Sequence, residues 1–178
     1  MRVHRLVAIT GCSGGGKSTL LDELRRRGHA VVEEPGRRII AEERESGGHA
    51  LPWIDLAAFA RRALATARVD RRRAADLASD VFFDRGMIDA AAALEHATGR
   101  PALTEIANER YHRRVFVAPP WREIFSEDAD RRHGFDEAVA EYERLLRFCD
   151  RLGYEVETLP KIGVAERANW MLRRLAAD

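Results

Sequence analysis

Lysine is nearly missing from this sequence: of 30 lysines and arginines, only Lys17 and Lys161 are lysine. A GC-rich coding sequence produces such a bias, so the shortage alone carries no function. It does draw attention to where the two lysines stand. A charge excess is missing too. Thirty basic residues face 29 acidic ones, for a formal net charge of +1, and so balanced a chain gives no general reason to expect nucleic-acid or membrane binding. The two cysteines, Cys12 and Cys149, make no disulfide framework, which suits a reducing cytoplasm. With six scattered histidines they also show no zinc-ligand spacing. No apolar run approaches the roughly 18 residues of a membrane span, and Met1–Ile9 is too short and too charged for a signal peptide. A cytoplasmic location is the expectation.

The chain does have enough apolar material for a core. Hydrophobic residues make up 46% of 178 positions, sufficient for one domain without disulfides or structural metals. Short apolar runs alternate with longer helical patterns. Leu6–Thr10, Ala30–Glu33, Val81–Asp84, Val115–Ala118 and Tyr154–Leu159 read as strands. Ser18–Arg27, Asp55–Leu77, Asp89–Thr98, Phe135–Leu152 and Val164–Leu175 read as helices. In the second of these, Leu56, Phe59, Ala60, Ala63, Leu64 and Ala67 recur at helical spacing, with arginines on the other face. Continuous apolar strands between helices imply an α/β fold with a parallel sheet buried on both sides. Two stretches fit less well. Gly36–Trp53, dense in charge and carrying Ser46-Gly47-Gly48, reads as a mobile connection. Pro119–Gly134, with Arg122, Arg131 and Arg132, reads as an arginine-rich loop suited to a lid.

Gly11-Cys12-Ser13-Gly14-Gly15-Gly16-Lys17-Ser18 satisfies the phosphate-binding pattern G-x-x-x-x-G-K-[ST] in its proper setting, after a strand and at the start of a helix. Glycines let backbone N–H groups turn inward around phosphate oxygens, where a Cβ would obstruct. The helix N-terminus adds open donors and partial positive charge. Lys17 can reach the β- and γ-phosphates, the Ser18 hydroxyl can ligate magnesium, and Thr19 can bond the α-phosphate. The nucleotide-binding set is therefore Gly11, Ser13, Gly14, Gly15, Gly16, Lys17, Ser18 and Thr19. ATP and Mg2+ are the expected cofactors. Cys12 fits the loop and has no base to activate it.

In open α/β sheets, ligands sit at the carboxyl ends of the strands. The second strand runs into Glu33-Glu34-Pro35-Gly36-Arg37-Arg38 and the third into Asp84-Arg85-Gly86. A carboxylate there can hold magnesium or accept the proton of an attacking hydroxyl. An arginine beside it can balance phosphate charge.

With these residues in place, the chain resembles the P-loop nucleoside and nucleotide kinases. It is more closely similar to small bacterial predicted ATPases of the AAA-type P-loop group that are akin to ribosylnicotinamide kinases. The likeness rests on Gly11–Thr19, Glu34–Arg38, Val81–Gly86 and Pro119–Arg132. It implies a three-layer fold with a five-stranded parallel sheet, the P-loop strand central, and a single kinase-like domain over residues 1–178. A lid at about 119–134 would bring Arg131 and Arg132 over the triphosphate. Glu34 would act as base, and Leu159–Val164 would seat adenine. The catalytic set so implied is Lys17, Glu34, Asp84, Arg85, Arg131 and Arg132, with Ser18 and Asp84 on the metal. The chain departs from GTPases in lacking Asn-Lys-x-Asp, and from AAA+ motors in length.

Three functions remain open at this stage. The first is a Mg-ATP-dependent phosphotransferase acting on a small-molecule, nucleoside- or nucleotide-like acceptor, bound between Gly36–Trp53 and the Arg61–Arg68 helix, where Trp53 and Phe59 could stack on a ring. The second is an ATPase or nucleotide switch read by a protein partner. The third is a nucleic-acid end kinase using the Arg61–Arg73 face. Neither the acceptor nor the oligomeric state is written in the sequence.

Overall fold

The apolar runs align side by side. In the computed structural model, which describes residues 4–125 and 134–177, five strands form one parallel sheet. They are β1 (Leu6–Gly11), β2 (Ala30–Val32), β3 (Val81–Asp84), β4 (Arg114–Ala118) and β5 (Glu155–Thr158), in the order β2-β3-β1-β4-β5. The P-loop strand is central, as the resemblance implied. Register puts Ile9 of β1 opposite Asp84 of β3 and Gly11 opposite Ala118 of β4. The carboxyl ends of three strands therefore meet at the start of the loop.

Side chains alternate across the pleat, and each set has its own helical cover. Ala8, Phe83, Val115 and Val117 face one way, into a core shared with α3 (Leu56–Ala75), α4 (Met87–Thr98) and α5 (Phe135–Arg151). Val7, Ile9, Phe82, Phe116 and Ala118 face the other way, against Leu20 and Leu24 of α1 (Lys17–Arg26) and Met171 and Leu175 of α6 (Val164–Ala176). Helices on both faces of a parallel sheet make the three-layer α/β arrangement. A fully buried Phe82 contributes on the order of 2–3 kcal/mol by its transfer from water.

One stretch differs from its sequence reading. The charged segment after β2 is a helix, α2 (Pro35–Ser46), rather than a mobile connection. Proline stands at its first turn, where a missing N–H costs nothing. Ile39, Ile40 and Glu43 are buried, while Arg37, Glu42, Arg44 and Glu45 face solvent. Seen along its length the segment is charged; seen by face it is amphipathic. Glu43 is held by Arg62 of α3 and accepts the Ala50 N–H at 2.8 Å, so an acid of α2 neutralises an arginine of α3. Arg62 also pairs with Glu42, and Arg68 with Glu109. That pairing takes Arg62 and Arg68 out of the positive face a phosphate backbone would need, while Arg61, Arg72 and Arg73 stay exposed.

Candidate active site

The loop between β1 and α1 is shaped by close approach. Gly11 has φ +115°, and a Cβ there would lie 2.3 Å from the Ala118 carbonyl oxygen. Gly16, at φ 76°, stands at the N-cap of α1 in the left-handed region, and no side chain among the described residues caps that helix. The first-turn N–H groups are therefore left for a ligand. Lys17 is buried, and its Nζ donates to the carbonyls of Gly11 (3.2 Å) and Cys12 (2.7 Å). Burial lowers its pKa, with the charge of Arg85 adding to the effect and Asp84, Glu34 and Glu141 opposing it.

Asp84, at the end of β3, is buried beside this lysine. Its Oδ2 lies 3.4 Å from Ser18 Oγ, which donates to it, while Oδ1 is buried with no hydrogen-bond partner among the described residues. Burial raises the pKa of Asp84, against the pull of Lys17. A hydroxyl, a carboxylate and an orphaned oxygen are hard donors that suit Mg2+, which keeps several waters and phosphate oxygens in its shell. No cluster of three or more His, Cys, Asp or Glu side chains fit to hold a metal occurs among the described residues.

Arg85 sits at the centre of the acids. Its φ is 59°, a left-handed conformation that costs a non-glycine residue roughly 1–2 kcal/mol. Its backbone N–H donates to Ile9 O at 2.9 Å, extending the ladder by one residue. Its guanidinium reaches Glu34 through Nε (3.2 Å), and Asp89 (3.2 Å) and Glu141 (2.8 Å) through Nη1. These ion pairs offset the backbone strain. Glu34 caps α2 and also accepts from Arg37 Nε at 3.3 Å. Asp89 accepts from Thr10 Oγ1 at 2.5 Å, and burial lifts its pKa to about 6 in spite of Arg85. Glu141 accepts the Ser13 N–H at 3.1 Å. Burial alone would raise its pKa, but the charge and hydrogen bond of Arg85, with Lys17 and the Ser13 N–H, hold it at about 2.

On the other flank, α6 supplies Arg167, which is 2% exposed. Its Nη1 donates to Gly15 O and its Nε to Pro160 O, each at 2.9 Å, and its guanidinium lies 5.0 Å from the Trp121 ring centre. Burial lowers its pKa, and its Nη2 has no hydrogen-bond partner among the described residues.

Two cavities open onto this centre. One, of about 480 Å³, runs along the phosphate loop and α1 past Ser18, Thr19 and Arg37 to Trp121, Ile162 and Arg167. The other, of about 380 Å³, lies among α2, α3, α4 and α5. Ser13, Glu34 and Arg85 line both. The cavities therefore meet at a carboxylate, a guanidinium and the phosphate loop.

Of the residues expected from sequence, Ser13, Gly14, Gly16, Lys17, Ser18, Thr19, Glu34 and Arg85 line the first cavity. Gly11 and Gly15 shape the loop against β4, and Asp84 stands behind Ser18. Arg131 and Arg132, expected in a lid, lie outside the described residues. At the described flanks of that segment, Phe125 packs against Phe135 at 5.4 Å, and a Cβ on Gly14 would meet its ring. Phe59 lines the second cavity, whereas Trp53 does not and instead stacks with Arg44. The segment Leu159–Val164 reaches the first cavity through Ile162, Gly163 and Val164, with Lys161 exposed. Sequence reasoning missed Asp89, Glu141 and Arg167.

The chain belongs to the AAA domain family, whose model matches residues 6–167. No curated protein matches it. Among solved structures it is similar to the NadR protein in complex with NR, at TM-score 0.70 and 20% identity, covering 97% of this chain and 50% of that one. Shikimate kinase from Acinetobacter baumannii in complex with shikimate aligns at TM-score 0.63 and 15% identity, covering 98% and 94%. Deoxyadenosine kinase from M. mycoides with bound dCTP aligns at TM-score 0.61 and 12% identity, covering 97% and 99%. The chain thus spans half the length of the NadR protein and nearly all of the other two. The fold is that of the P-loop kinases. No helix among the described residues is long and apolar enough to cross a membrane.

Proposed function

We propose that this protein is a Mg-ATP-dependent phosphotransferase that passes a phosphoryl group to a hydroxyl of a small ring-bearing molecule, with residues 1–178 acting as one kinase-like unit. The observation that carries the reading is the meeting of two cavities at Ser13, Glu34 and Arg85. A nucleotide alone needs only the first cavity. An acceptor gives the second a purpose.

ATP lies along the phosphate loop and the open N-terminus of α1, with Lys17 turning from the Gly11 and Cys12 carbonyls toward the β- and γ-phosphates. Ser18 and Asp84 would hold the magnesium ion, which would supply charge neutralisation to the phosphate oxygens. The acceptor enters from the second cavity. Its hydroxyl oxygen forms a bond to the γ-phosphorus, the bond from that phosphorus to the ADP oxygen breaks, and the hydroxyl proton passes to a Glu34 carboxylate oxygen. Arg85 acts as a positioning residue: its Nε orients Glu34. Catalysis of this kind is mostly placement and electrostatics. The neighbours support the reading as well, since their names are those of kinases with small-molecule ligands.

The test is ADP formation from Mg-ATP with and without a panel of nucleosides, ribosylnicotinamide, nucleotides and aminoglycosides, repeated in Glu34→Gln. One acceptor should raise turnover steeply, and Glu34→Gln should cut that turnover by about a hundredfold or more while ATP affinity stays within about twofold. Slow ADP release indifferent to every compound would defeat the proposal in favour of an ATPase read by a protein partner.

A further inference from the structure

The second cavity has a distinctive balance of charge. Among the described residues, four carboxylates line it, those of Glu34, Asp89, Glu137 and Glu141, against the two guanidiniums of Arg85 and Arg144. His96, exposed, stands at the rim. Arg85 already gives its Nε to Glu34 and its Nη1 to both Asp89 and Glu141. Arg144 follows Glu137 and Glu141 at helical spacing on the same face of α5, so two acids neighbour it along the helix. With Asp89 protonated, carboxylates still outnumber guanidiniums.

The rest of the lining is apolar. Phe59, Leu56, Ile40 and Leu145 supply flat and branched surface, and alanines such as Ala60 of α3 and Ala90 of α4 leave the volume between them open. A site for a carboxylate or phosphate is built the opposite way, around an arginine fork with donors to spare. Here an anionic group would face acids that outnumber the available cations, in a partly enclosed space where screening is weak.

We propose that the second cavity takes an uncharged or cationic ring compound bearing a free hydroxyl, and discriminates against compounds carrying a carboxylate or a phosphate; this rests on the phosphotransferase reading. The apolar walls hold the ring, and Glu34 and its neighbouring acids receive the hydroxyl and any positive charge. A nucleoside or an amino sugar has this chemistry. A nucleotide or a ring acid does not.

Matched pairs test the inference. Binding is measured by calorimetry without nucleotide for a nucleoside and its 5′-monophosphate, and for an aminoglycoside and shikimate, while ATP affinity is measured separately with a fluorescent analogue. At least one uncharged or cationic member should bind about tenfold or more tighter than its anionic counterpart. Equal or tighter binding of the anionic members overturns the inference. Binding of no member, with ATP still bound, also overturns it and leaves the nucleotide site standing. Failure of ATP to bind defeats the phosphotransferase reading instead, and the matched pairs still decide the charge class of the cavity.

Discussion

Glu141 accepts the backbone N–H of Ser13 at 3.1 Å, so a carboxylate of α5 is fastened to the phosphate loop across 128 positions of sequence. Its other oxygen takes Arg85 Nη1 at 2.8 Å. Helix, loop and strand end are held by one side chain.

Glu141 therefore governs part of the acid stability. Its pKa falls from 4.5 to about 2 on folding, so its contribution is complete above pH 4.5 and is lost as pH drops from there toward 2. Its side chain is 26% exposed, which screens the effect to about 1–2 kcal/mol. Glu141→Gln should lower stability by that amount at neutral pH and flatten the acid limb below pH 4.5, read by denaturant melts across pH. Asp89 acts in the opposite sense: raised from 3.8 to about 6, chiefly by burial, it makes the fold less stable as pH climbs through that interval. That limb should survive in Glu141→Gln.

Lys17→Ala should abolish nucleotide turnover, with a loss of about a hundredfold or more, while the melting transition stays cooperative. Among the described residues its Nζ donates to the Gly11 and Cys12 carbonyls, and each such bond contributes about 1 kcal/mol. Full turnover in this variant would remove the phosphate loop from the chemistry.

Asp84→Asn should raise the magnesium concentration needed for half-maximal turnover by about tenfold, because the buried carboxylate beside Ser18 would lose its charge. An unchanged magnesium titration would take Asp84 out of the metal site.

Phe59→Ala should raise the acceptor KM by about tenfold and leave the ATP KM alone, since Phe59 lines the second cavity and not the first. Equal rises in both would make Phe59 a packing residue only.

Much of this was legible locally. The loop announces itself because glycine, lysine and serine must stand at fixed offsets for backbone to wrap phosphate, and Asp84-Arg85 could be found by following an apolar strand to its end. Strands β1, β3 and β4 were readable because each carries apolar residues on both faces, whereas β5 carries Glu155 and Glu157 and shows mainly through its flanks Tyr154 and Leu159. Helix α2 was not, because the run from Arg37 to Glu45 hides two buried isoleucines behind its charges. Glu141 and Arg167 left no local signal at all. Each looks like one more charge on an amphipathic helix, and only the packing of α5 and α6 brings them to Ser13 and Gly15.

The closed path from Thr10 through Asp89, Arg85 and Glu141 back to Ser13 also makes the Ser13 amide a reporter. Its proton can exchange with deuterium only when Glu141 lets go, so its uptake rate reads the docking of α5 from inside the phosphate loop. A compound entering the second cavity would alter that rate before any phosphoryl group moves, which lets occupancy be followed in the absence of turnover.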